Sequence, residues 1–362
     1  MEFIRIARKF YEHDPHWVPP LIADQKRYLD PKKGVFYDHG EVGLFLAKRA
    51  GRPAGRISGH VNYLYDELYG KDTGFFGFFE CENDPGTAQT LLKAAESFVR
   101  SRGMRRILGP MSFGVYDEIG ILIDGFDSDP YVMTVHNPPY YAELLLAAGY
   151  GKAVDWYAYR GYTADRERVD PRLFQVRDRV LSRPGFVLRT LDLSSARTIR
   201  READFINRIF LDAWSRNWGH VPWTPREFER LVEAVKKIAI AELSYIVEVR
   251  GRPVGFALSI SDANVAVKMI NGRLFPFGFV TFLRSLKRTD RFRHILMGVL
   301  EEYRNSGIET AMYAELVERC CELGFREVEM SLIVENNHAM RNSLKHFPLK
   351  IYKTYRIFEK QL

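Results

Sequence analysis

Cysteine is scarce: Cys81, Cys320 and Cys321 are the three in 362 residues, and no pair has CxxC spacing. This argues against a disulfide framework or a cysteine-built zinc site and points to a reducing cytoplasm. Long apolar runs are missing too. Ile295–Leu300 is short and flanked by charge, far from the ~18–20 residues a membrane span requires. The first ten residues, MEFIRIARKF, mix charge among apolar side chains and lack the core of a secretory signal. No HExxH, Ser/His/Asp order or Walker loop occurs, so proteases, hydrolases and P-loop ATPases find no support. The histidines carry little: His13 and His16 lie in EHDPHW, and His220 in NWGHVPW.

What is present suffices for packed cores. Aromatics at 14% exclude low-complexity disorder, and 362 residues suit two domains better than one. The net charge of +7 is uneven. Residues 1–165 carry 19 Lys and Arg against 22 Asp and Glu, and the remainder carry 34 against 24. Only the second half has the balance expected of a chain that meets phosphates, nucleic acid or an acidic partner.

The two halves share a grammar. Gly43–His60 places GRPAG (Gly51–Gly55) between apolar stretches, and Ser244–Ser261 places GRPVG (Gly251–Gly255) likewise. Both spell hairpins. Gly86 and Gly103 stand 17 residues apart around a helical pattern, as do Gly307 and Gly324. Ala88, Leu91, Leu92, Ala95 and Val99 share one helical face; Ile308, Ala311, Met312, Leu316, Cys320 and Leu323 share the other. Strands follow at Met104–Pro110 and Phe325–Val334, then helices opening at Asn137 and Asn336. The second half has about twenty extra residues near Met269–Arg288, and the first a similar excess after its helix. Loops tolerate such insertions. The expected domains are 1–165 and 185–362, joined by a linker over 166–184.

Gly298–Ala311, GVLEEYRNSGIETA, runs an apolar strand into Arg-x-x-Gly-x-x and a helix. This resembles the GNAT superfamily of acyl-CoA-dependent N-acyltransferases. Arg304 and Gly307 fit its glycine-loop pattern, while Glu309 replaces the usual small residue. Asn337 matches the asparagine opening the family's next helix, but Leu344 stands where a general-acid tyrosine is common. HWVPPL, GFFGFFE and NPPYY resemble bacterial proteins of tandem type, with the first domain a degenerate copy. The resemblance implies an α/β fold of two tandem domains, each a mixed, mostly antiparallel sheet flanked by helices.

A strand ending in a glycine turn before a helix aims unpaired amides and the positive dipole end at one spot, suited to a diphosphate. An ordinary turn using glycine for positive φ is the plain alternative. The candidate donor site is Val299, Leu300, Arg304, Asn305, Ser306, Gly307, Ile308, Glu309 and Asn337. The corresponding first-half loop, ECENDPGT, is acidic, and Asp84-Pro85 reads as a helix cap. The donor, acetyl-CoA or a longer acyl-CoA without a metal, is therefore expected on the second domain alone. Val299 offers a backbone oxyanion donor. Glu302 is the candidate base, since strand alternation lets one of Glu301 and Glu302 face the cleft, and adjacent Tyr303 is the candidate acid.

The expected activity is acyl transfer to the primary amine of a small molecule or peptide, with neither nucleic acid nor membrane as partner. Leu344, Glu309 and the basic second half favour a different class, a non-catalytic binding or regulatory protein on a degenerate scaffold. Aminoacyl transfer from charged tRNA is a third reading.

Overall fold

A computed structural model describes residues 1–362. Strands β1 (Gly40–Arg49), β2 (Arg52–Asn62), β3 (Thr73–Cys81), β4 (Arg106–Gly109), β5 (Ile121–Asp124) and β6 (Gly151–Tyr162) come first along the chain. β7 (Phe186–Thr190), β8 (Tyr245–Val249), β9 (Arg252–Ser261), β10 (Arg291–Val299), β11 (Glu327–Val334) and β12 (Lys350–Gln361) follow. The helices that bear on function are α1 (Pro85–Arg100), α2 (Tyr141–Ala147), α3 (Arg172–Leu181), α4 (Ala196–Trp214), α5 (Pro225–Val235), α6 (Ala263–Met269), α7 (Gly278–Arg288), α8 (Ile308–Glu322) and α9 (His338–Leu344).

These elements fall into two compact units that do not follow chain order. The first comprises Met1–Trp156, Ala266–Phe282 and Lys353–Leu362; the second comprises Tyr157–Val265 and Leu283–Tyr352. β6 and β12 thus each start in one unit and finish in the other.

In the first unit, β1, β2 and β3 are antiparallel, β4 runs parallel to β3, and residues 354–361 of β12 pair antiparallel with β4 and β5. In the second, β7 to β10 are antiparallel and β11 is parallel to β10. Each unit is the mixed, mostly antiparallel α/β layer that the resemblance implied.

Both expected hairpins are present, and in matching detail. Ala50 and Gly51 have φ of 48° and 77°, and Arg250 and Gly251 have 52° and 78°. Two successive positive φ values make the tight link whose twist suits antiparallel strands. Each hairpin also shifts register just before its turn, between Ala47 and Lys48 and between Val247 and Glu248. Pro53 and Pro253 lie opposite these shifts, where a residue without N–H does least harm to the ladder.

The helices start and stop where the residues dictate. Asp84 caps α1 by accepting the Thr87 amide, with Pro85 as first helical residue. Gly103 and Gly324 follow α1 and α8 with φ of 85° and 77°. The predicted apolar faces are buried, except that Leu323 lies exposed just past the end of α8. Residues 166–184, expected as linker, contain α3. Val176 and Val180, one helical turn apart, lie close over Gly307 at the head of α8.

Candidate functional site

β10 and β11 separate partway along their length. Their parallel ladder joins Arg291–His294 to Glu327–Met330 and ends there, whereas β10 stays on β9 through Val299. The Leu300 amide donates to Val254 O at 2.9 Å. Antiparallel alternation therefore turns the Met297 and Val299 backbone groups away from β9, into the opening beside β11. Trp214, at the end of α4, donates its indole N–H to Met297 O at 3.2 Å. The Val299 amide faces the opening as a donor. Leu300, expected to share this edge, is committed to Val254.

Beyond the strand the chain turns sharply. Residues 301–303 form a 3₁₀ turn, so the expected alternation of Glu301 and Glu302 on a strand does not occur. Both carboxylates are exposed, pairing with Arg216 at 3.0 Å and Arg252 at 2.9 Å respectively. Tyr303 is half-buried, and its carbonyl accepts from Ser306 Oγ at 2.5 Å. Arg304 is turned inward: Nη2 donates to Ala213 O at the end of α4, 3.1 Å away. It braces the loop as well as lending charge.

Asn305 and Gly307 have φ of 60° and 90°. The amides of Asn305, Ser306, Gly307 and Ile308 donate to nothing within the chain. Left-handed residues alternating before a helix gather such amides into an anion cradle, backed by the α8 dipole. Arg183 supports its outer rim by donating to Ser306 O at 2.9 Å. Glu309 folds its carboxylate toward its own amide; burial raises its pKa, opposed by that amide and by Arg304. Asn337 caps α9 by accepting the Met340 amide at 3.1 Å, and Leu344 is packed in the core.

A cluster of polar side chains at the point of separation has no signal in the sequence. His294, in the last pair of the ladder, is buried against Tyr313, and its Nδ1 lies 3.0 Å from Ser259 Oγ. On the neighbouring β10 position, Arg293 pairs with buried Glu329 at 3.0 Å, and Tyr352 donates to that carboxylate at 2.8 Å. Single polar residues in apolar strands carry no motif, so only the folded register reveals them.

Burial lowers the His294 pKa to about 4 from an ordinary 6.5. The unfolded chain binds a proton through this window that the folded unit refuses. The stabilisation is present above pH 6.5 and is lost as pH falls toward 4. Urea titrations should give the second unit a lower midpoint at pH 5 than at pH 7.5, and His294→Gln should narrow the difference. An unchanged difference would assign the acid sensitivity elsewhere.

The matching corner of the first unit is filled. β3 and β4 pair only from Thr73–Phe75 to Arg106–Leu108. Beyond that, Tyr141 OH accepts the Cys81 amide at 3.0 Å and donates to Glu80 at 2.8 Å, while Tyr140 OH donates to Cys81 O at 2.9 Å. Asp84 occupies the head of α1. These are the tyrosines of NPPYY, whose sequence signal was present but whose sealing role was not read.

The first unit also unites two histidine–carboxylate pairs. His16 Nδ1 lies 2.8 Å from Asp129, which Lys268 also holds at 2.6 Å, and His136 Nε2 lies 2.8 Å from Asp14. Burial opposes ionisation of Asp129, yet the hydrogen bonds from Lys268 and His16 outweigh it and lower its pKa.

A family model described as "Acetyltransferase (GNAT) family" matches residues 204–346. The chain is 34% identical over 368 residues to "Protein YghO" of Escherichia coli (strain K12), covering 99% of this chain and 92% of that protein. It is 34% identical over 367 residues to "Bacterial ceramide synthase" of Caulobacter vibrioides (strain NA1000 / CB15N), covering 99% and 94%. A solved "Tandem GNAT protein from the clavulanic acid biosynthesis pathway" matches with a TM-score of 0.57 at 14% identity, over 99% of this chain and 94% of that one. At that identity the likeness speaks for the fold.

Proposed function

The chain belongs to the GNAT acyltransferase family in its tandem form, and from that premise we propose that it acylates the primary amine of a long-chain amino alcohol with acyl-CoA. The observation that carries the donor half is the set of unspent amides at Asn305–Ile308, next to the opened edge of β10. The acceptor half follows from the relative called a ceramide synthase, since a ceramide is an amide of such an alcohol.

The coenzyme diphosphate sits on the amide cradle, and its pantetheine amides extend β10 from the open side. The thioester carbonyl then meets the Val299 amide. The free amine attacks that carbon, the new C–N bond forms, and charge collects on the oxygen held by Val299 N–H. Water takes the surplus proton from the nitrogen, collapse breaks the C–S bond, and the thiolate leaves with the electron pair. With Leu344 at the usual tyrosine position, its proton comes from Tyr303 or from water.

Two substitutions of opposite sign test the cradle. A carboxylate about 6 Å from a phosphate costs roughly 3 kcal/mol at an effective ε of 20, and screening reduces this to about 1 kcal/mol. Asn305→Asp, which tolerates positive φ, should weaken coenzyme A binding about fivefold by calorimetry. Glu309→Gln should tighten it by a similar factor. If neither changes affinity, the diphosphate is not at this corner; if the parent does not bind coenzyme A, the non-catalytic reading replaces this one.

A further inference from the structure

The extra residues between β9 and β10 build a surface whose apolar side chains face away from the protein. Phe275 and Phe277 are 89% and 81% exposed. Met269, Phe279, Val280 and Leu283 are exposed as well. Soluble proteins rarely leave so many large apolar groups together in water without a partner.

The presentation is built into the fold. Arg8 donates to Asn271 Oδ1 at 3.0 Å and to its carbonyl at 2.6 Å. Gly272 sits so close to Pro20 O that a Cβ would approach to 2.6 Å. The Phe279 amide closes the loop on Leu274 O at 2.8 Å, and a Cβ on Gly278 would strike Arg273 O. A pinned loop thus thrusts two phenylalanines outward. In α7, Ser285 is buried and Phe282 and Leu286 are half-buried, which leaves Phe279, Val280 and Leu283 outward beside Arg284, Lys287 and Arg288.

Charge identifies the occupant. Between Asp262 and Asp290 there are five Lys and Arg and no carboxylate; Lys268 is held by Asp129, which leaves Arg273, Arg284, Lys287 and Arg288 for a partner. Aromatic side chains projecting from a basic helix and from the loop that leads into it, with no acid among them, suit the headgroup region of an anionic bilayer. We propose that residues 269–288 dock this protein on the surface of an anionic phospholipid membrane. The segment would bring the enzyme to acceptors that reside in lipid, and in that respect it rests on the long-chain amine reading. It reverses the expectation of no membrane partner. No helix is long and apolar enough to cross a membrane, so the contact is peripheral.

The test is co-sedimentation of the full chain with vesicles of phosphatidylglycerol and phosphatidylethanolamine, with phosphatidylcholine vesicles in parallel. The parent should pellet with the anionic vesicles, and the bound fraction should fall as salt rises. The triple variant Phe275→Ser, Phe277→Ser, Phe279→Ser should lose at least tenfold in vesicle affinity while binding coenzyme A as the parent does. That separation distinguishes loss of docking from failure of the donor site. A parent that remains in the supernatant, or a triple variant that pellets equally well, overturns the proposal. So does a parent dimer that the variant converts to monomer without any vesicle binding, because a second copy would then cover the patch.

Discussion

Replacing Val299 with proline should lower kcat for acyl transfer by about 10²–10³-fold, the usual cost of losing one oxyanion donor. The prediction is sharp because the substitution deletes the N–H proposed to meet the thioester oxygen. That N–H is turned away from β9, so the ladder keeps its bonds. The preceding residue is Gly298, which has no side chain to clash with the proline ring. Val299→Ala retains the amide and serves as the control, expected to keep most of the rate. Far-UV circular dichroism and Tm should match the parent, and KM for acyl-CoA should move little. A proline variant within threefold of parental kcat at unchanged Tm would remove Val299 from the mechanism.

Glu80→Ala should destabilise the first unit by about 3–5 kcal/mol, the range for breaking a buried ion pair from one side. The Glu80 carboxylate pairs with Arg56 at 3.3 Å and accepts from Tyr11 at 2.9 Å and Tyr141 at 2.8 Å. Burial raises its pKa against the pull of Arg56 and both tyrosines. Truncation strands a guanidinium and two hydroxyls in a site with little water. The double variant Glu80→Leu, Arg56→Met should recover much of the loss, because it removes both charges together. Urea unfolding at pH 7 measures both. A single-variant loss under about 1 kcal/mol would mean that solvent reaches Arg56 after truncation.

Much of the fold was legible because its signals are local. The GRPAG and GRPVG links, whose turns fall at Ala50–Gly51 and Arg250–Gly251 with residues 52–55 and 252–255 already in strands, the Asp84-Pro85 cap and the equal Gly-to-Gly intervals each depend on neighbours a few residues away. The strand, glycine turn and helix from Arg291 to Glu322 belong to the same class, since they are contiguous. What the 3₁₀ turn at 301–303 does to Glu302 was not legible, because strand alternation stops at Val299, three residues before it. The histidine pairs were hidden for another reason. His16 and Asp129 are 113 residues apart, and Lys268 is a further 139 residues along the chain. Nothing in EHDPHW announces such partners. The basic, acid-free insertion was visible in composition, but its outward phenylalanines appear only once Gly272 and Gly278 fix the loop.

Residues 353–362 carry a consequence for synthesis. They supply the strand on which β4 and β5 pair, and Lys353 inserts its ammonium between the Gly125 and Ser128 carbonyls. Chains generally fold domain by domain as they leave the ribosome, the amino-terminal domain first. Here the amino-terminal unit must wait, edge open, until residues 353–362 have been made and have left the ribosome. Nascent chains stalled before Lys353 should therefore expose β4 to chaperones, and a chain cut just before Lys353 should lose more order in the first unit than in the second.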